Sequence, residues 1–162
     1  MNDISKHKLE LFISNMREML ICIEEEFIQP STLTENIRCL PRSEVIDIAT
    51  IAVYNVTGIG RKLLSKSSKE EGTRQHDNVI ARNYFTAILR KHLNMQYAQI
   101  GKIIGGRDHS TVLSNMRNFE NWVKTNDDFR RTYQKVENEF EALINIHLKN
   151  KQHERLQAAF GG

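Results

Sequence analysis

The chain has 162 residues, 40% hydrophobic and 27% charged, with a formal net charge of +3. That balance suits one compact domain with extensions and a normal buried core. Two cysteines outside any C-x-x-C pair exclude zinc and thioredoxin-type chemistry, and the apolar stretch 19–23 is too short to span a bilayer.

Residues 5–29 read as one amphipathic helix, with Leu9, Phe12, Met16, Leu20, Ile23 and Phe27 on one face. Glu24-Glu25-Glu26 opposes the helix dipole near its end, and Pro30 favours termination there. Residues 31–42 read as a connector with a short helix after Thr32. Pro41 and a Ser43 N-cap mark a new start. The helix over 44–56 turns Val45, Ile48, Ala49, Ala52 and Val56 inward, and Gly58 and Gly60 break it. Residues 62–73 form a polar loop bearing Lys62, Lys66 and Lys69, entered through a helical turn at Arg61–Leu64.

Residues 76–93 are helical, with Ala81, Phe85, Ile88 and His92 aligned between Tyr84 and Leu89. A short helix over 97–104 places Tyr97, Ile100 and Ile104 on one side. After a glycine turn, the helix 108–124 buries Val112, Met116, Phe119 and Val123. Residues 125–128 cap a long helix over 127–157, carrying Phe129, Tyr133, Val136, Phe140 and Leu143. No segment alternates with period two, so the expected class is all-α, in three parts: 1–40, 41–125 and 126–162.

Charge is unevenly placed. Residues 57–124 hold 12 Lys and Arg against 5 Asp and Glu, a net +7. The remainder holds 11 against 15, a net −4. A solvated helix face would explain some of this, but the asymmetry favours a polyanion as partner of the central region.

The densest signal is Gly105-Gly106-Arg107-Asp108-His109-Ser110-Thr111-Val112. Two glycines permit a sharp turn, Arg107 offers a five-donor fork, and four short polar residues open a helix. Helix, glycine turn and helix make a helix-turn-helix. Ser110, Ser114, Arg117, Asn118 and Asn121 lie opposite the apolar seam, where they can face a groove. An ordinary helical hairpin capped by Asp108 has the same periodicity. His109 has no metal-ligand or nucleophile partner at useful spacing, so no enzyme, metal or cofactor is expected. Trp122 reads as a core anchor or as an N–H facing the DNA side.

This string, preceded by Ile100-Gly101, resembles the signature of the C-terminal DNA-binding domain of the bacterial replication initiator DnaA. The match is close from Ile100 to Leu113 and weaker over roughly 44–124. The resemblance implies that Arg107 lies near the DNA backbone and that Asp108, His109, Ser110 and Thr111 reach base edges. Asp108 would accept from a cytosine amino group or cap the helix, and the Thr111 methyl would pack on thymine. Arg82 matches a backbone-supporting arginine, and Lys66 and Lys69 match the family's basic loop. Ser110 stands where Thr is commoner, Ile80 stands about where many members place an arginine that enters the minor groove, and Glu70 and Glu71 dilute the loop. These departures imply lower affinity and a changed site.

No G-x-x-x-x-G-K-[ST] loop occurs, so the family's ATP-binding motor is not within these residues and no nucleotide is expected. The expected partner is double-stranded DNA, in replication initiation or its regulation. The alternatives are a small transcriptional regulator and a helical adaptor. The terminal helices would fold back on the domain, pair as a homodimer or dock a replication protein. No secretory signal pattern is seen; a cytoplasmic protein with buried Cys22 and Cys39 is expected.

Overall fold

The computed structural model describes Glu10, Ile13, Met16 and residues 30–67, 69–71 and 75–161. Among these, every regular element is a helix: α1 (Pro30–Arg38), α2 (Arg42–Thr57), α3 (Arg61–Leu64), α4 (His76–Leu93), α5 (Tyr97–Ile103), α6 (His109–Thr125) and α7 (Asp127–Phe160). The expected all-α class is what the chain adopts. No described helix is long and apolar enough to cross a membrane. By backbone contacts the chain divides into Met1–Asn36 and Ile37–Gly162.

In the first unit, Glu10, Ile13 and Met16 are helical, and Ile13 and Met16 are exposed. The rest of the expected apolar face (Leu9, Phe12, Leu20, Ile23 and Phe27) lies outside the described residues, as does Cys22. Pro30 opens α1, and the expected helix end before it lies outside the described residues. The first turn tolerates proline because its N–H would have no intrahelical partner there.

In the second unit, Cys39 is exposed, against expectation. It falls in the turn before α2, where Ile37 and Leu40 are the buried residues. Pro41, not Ser43, occupies the N-cap of α2. Its carbonyl accepts from the N–H groups of Glu44 and Val45, which starts the helix two residues earlier. Val45, Ile48, Ala49, Ala52 and Val53 form the buried face of α2, while Val56 is half-buried. Gly58 ends the helix at φ +75°, a left-handed cap whose N–H reaches the Tyr54 carbonyl.

Helix α4 is the centre of this unit. Residues 81–89 are buried on every side, with Tyr84, Phe85, Ile88 and Leu89 almost fully so. Helices α2, α3, α5, α6 and α7 all pack against it. An aromatic cluster joins α4, α6 and the start of α7. Tyr84 lies 5.0 Å from Phe129, and Phe119 lies 4.9 Å from Tyr133 and 5.6 Å from Phe129. Such pairs add roughly 0.5–1.5 kcal/mol each beyond area burial.

Helix α7 spans 34 residues and packs along α2. Its buried face runs through Phe129, Val136, Phe140 and Ile144, so Ile144 takes the inward position expected of Leu143. His147 and Lys151 extend that face onto the Glu44 carboxylate at 2.7 and 2.6 Å. The last turns, residues 152–160, are exposed.

Candidate nucleic-acid interface

Helices α5 and α6 form the expected helix-turn-helix. A reciprocal capping box holds the start of α5: the Gln96 side chain takes the Gln99 N–H, and the Gln96 N–H reaches Gln99 Oε1 at 3.3 Å. Ile100 is fully buried, and Gly101 sits against the turn that follows. The Arg107 N–H donates to the Gly101 carbonyl at 2.8 Å. A Cβ on Gly101 would run into the Arg107 carbonyl, so the Ile100-Gly101 pair is a packing requirement of the turn. Gly105 and Gly106 have φ of +95° and +70°, a region that side chains disfavour.

The turn delivers the chain to Asp108, the N-cap of α6. Its carboxylate accepts from the Thr111 N–H at 2.7 Å and from the Ser110 hydroxyl at 2.8 Å. The Thr111 N–H and then the Ser110 hydroxyl hold this carboxyl below its usual range. Of the two roles open to Asp108, capping is therefore the one made within the chain.

Beyond the cap, His109, Ser110, Thr111, Ser114, Arg117, Asn118 and Asn121 are exposed. At about 100° per residue, Ser110, Ser114, Arg117 and Asn121 fall within roughly 60° of each other. Val112, Met116 and Phe119 are buried on the opposite side, and Val123 is half-buried. The His109 ring meets Tyr97 edge-on, 6.0 Å between centroids, and Arg90 lies over the same Tyr97 ring at 4.8 Å. Trp122 is half-buried, packed on Phe129 at 5.4 Å and His76 at 6.2 Å.

The two arginines are placed differently. The Arg107 guanidinium turns back over the turn and donates to the carbonyls of Ile104 and Lys66, the latter at 3.2 Å. Arg82 is only 3% exposed, and its guanidinium donates to the Leu63 carbonyl at 2.8 Å and the Leu64 carbonyl at 3.1 Å. Burial, and then the nearby charge of Arg107, lower its pKa to about 10, so it stays protonated at neutral pH. Arg82 thus turns inward onto the backbone of α3.

In the described part of the loop after α3, side chains bond back to the loop's own backbone. Lys66 Nζ donates to the Glu71 carbonyl, and Glu70 Oε1 accepts the Ser67 N–H at 2.9 Å. Glu70 therefore shapes the loop as well as diluting its charge. Lys69 is exposed and Lys66 half-buried. Ile80 is half-buried near the start of α4. The structure thus gathers the first turn of α6, its exposed face and the lysine loop around one glycine turn. Sequence reasoning missed the Gln96–Gln99 box, whose spacing is legible, and the inward course of both arginines, which leaves no periodic signal.

Residues 52–118 match the family model described as bacterial dnaA protein helix-turn-helix. The match runs from the second half of α2 into α6, so the similarity takes in both helices of the helix-turn-helix and the glycine turn between them. Two curated relatives are named chromosomal replication initiator protein DnaA, from Porphyromonas gingivalis strains ATCC 33277 and W83. Each is 34% identical over 65 residues, covering 40% of this chain and 14% of the relative. The chain thus matches about a seventh of these relatives' length. No solved structure matches it.

Proposed function

We propose that the central region binds double-stranded DNA sequence-specifically, with α6 in the major groove, in the initiation of replication or its regulation. The observation that carries this reading is the first turn of α6. A tight glycine turn and a carboxylate cap present His109, Ser110 and Thr111 to solvent, with Ser114, Arg117 and Asn118 following on the exposed face. Helix-turn-helix proteins read bases with the N-terminal residues of such a helix. The match of residues 52–118 to a helix-turn-helix of initiators, and the net +7 of the region, support the same reading.

In this reading His109 and Thr111 contact base edges, and the Thr111 methyl packs on a thymine methyl. Asp108 organises the turn and keeps residual accepting capacity for a cytosine amino group. Ser114, Arg117 and Asn118 line the groove wall. Lys66 and Lys69 neutralise phosphates, and Arg82 and Arg107 hold the surface that does so.

The test is selection of bound duplexes from a random pool, then binding of the best site and a scrambled duplex across salt concentrations. If ~4–6 phosphates are neutralised, log K falls with log salt at a slope of roughly −4 to −5. His109→Ala and Thr111→Ala each reduce the preference for the best site by about 1–3 kcal/mol while scrambled binding persists. Asp108→Asn, which still caps, keeps the Tm and reports base reading alone. No duplex binding at low salt, or a slope near zero, refutes the reading.

A further inference from the structure

Three contacts converge on the backbone at the end of α3 and the start of the lysine loop that follows it. The Arg107 guanidinium donates to the Lys66 carbonyl at 3.2 Å while also holding Ile104, in the glycine turn. Gly105 lies so close to the same carbonyl that a Cβ there would collide with it, and would stand 2.7 Å from the Arg107 guanidinium. Arg82, one helix away, holds the two carbonyls just upstream, Leu63 and Leu64. Two desolvated cations within reach of each other are unfavourable unless something is gained. Here both reach backbone carbonyls distant in sequence, 18 and 19 residues away for Arg82 and 41 for Arg107, which also holds the local Ile104 carbonyl.

We infer that Arg107 is a positioning residue: with Gly105 and Arg82 it locks the lysine loop in register with the first turn of α6, so that loop and helix meet a duplex as one preformed surface. This rests on the DNA-binding reading and changes the expected role of Arg107 from a phosphate contact to a tether. A loop held in place loses no further backbone entropy on binding. A loop released from Lys66 must be ordered by the DNA itself. The lysine contacts then stop contributing as a fixed pair with the helix.

The experiment is a double-mutant cycle on the full chain, read by the salt dependence of binding to the selected duplex and by amide hydrogen exchange without DNA. In the parent chain, Lys69→Ala lowers the magnitude of the salt slope by about one. In the Arg107→Ala background the same change leaves the slope as it was, because the loop no longer reaches the phosphate. Gly105→Ala removes no charge, yet gives the same uncoupling by pushing the Lys66 carbonyl away. Exchange of the Ser67 and Glu70 amides quickens in both variants. Arg107→Lys keeps the charge without the fork and serves if the alanine variant unfolds; it too uncouples Lys69 and quickens those amides.

An equal effect of Lys69→Ala in every background would overturn the inference and leave DNA binding standing. Unchanged exchange at Ser67 and Glu70 would overturn it without reference to DNA. Failure of the parent chain to bind any duplex while exchange quickens would instead remove the DNA-binding reading and leave the tether as a folding device.

Discussion

Gly101→Ala gives opposite signs by two arguments. Gly101 lies inside α5, and alanine in a helix interior is favoured over glycine by about 1 kcal/mol. Local propensity therefore expects a more stable protein. The packing expects the reverse. A Cβ at this position collides with the Arg107 carbonyl and comes within 3.3 Å of Val112 Cγ2. The first obstacle is backbone and cannot rotate aside. Relief requires the turn to move away from α5, which loses the Arg107 N–H bond to the Gly101 carbonyl. Overpacking costs about 1–3 kcal/mol, and a lost hydrogen bond about 0.5–1.5 kcal/mol. Set against the propensity gain, the net loss is roughly 1–3 kcal/mol. For a unit of this size that is a fall in Tm of roughly 4–12 °C. Urea and thermal unfolding would measure it, with duplex binding alongside, since the same movement misplaces Asp108 and His109. A raised or unchanged Tm with unchanged affinity would refute the claim that this glycine is demanded by the turn.

Two further outcomes follow from the core. Phe140 is fully buried on α7, its ring 4.8 Å from that of His92 on α4. Phe140→Ala should destabilise by about 3–5 kcal/mol in urea unfolding; a loss under ~1 kcal/mol would mean that α7 contributes little to the unit. His92 is 5% exposed, and its Nε2 is buried without a hydrogen-bond partner. Burial, and then the charge of Lys91, hold this imidazole below its ordinary 6.5, against a smaller upward pull from Glu137. The unfolded chain therefore protonates first. Stability from this group is complete above about pH 6.5 and is lost as pH falls from there toward the depressed folded pKa. Urea midpoints between pH 7.5 and 5.5 should fall for the parent chain and fall less for His92→Leu. Equal slopes would remove His92 as the cause.

Much of this molecule was decided locally. Gly105-Gly106, the Asp108 cap and the spacing of Val112, Met116 and Phe119 set turn, helix start and buried face through contacts within a few residues. Such contacts write themselves into sequence as spacing, which is why α3, α4 and the helix-turn-helix could be placed from it. The same holds for Asn126, whose side chain takes the Phe129 N–H at the start of α7. Where two locally acceptable solutions lie next to each other, tertiary packing chose. Leu143 and Ile144 differ by about 100° around the helix, and only the seat of α7 on α2 decides that Ile144 goes inward. Arg82 and Arg107 are the clearest case. A long side chain has many rotamers of similar energy, and a guanidinium can donate to a phosphate or to a backbone carbonyl. Composition marks both as basic residues near a basic site. That they turn inward follows only from the three-dimensional return of Leu63, Leu64 and Lys66 to within hydrogen-bond reach, because backbone carbonyls have no side-chain identity for a sequence to record.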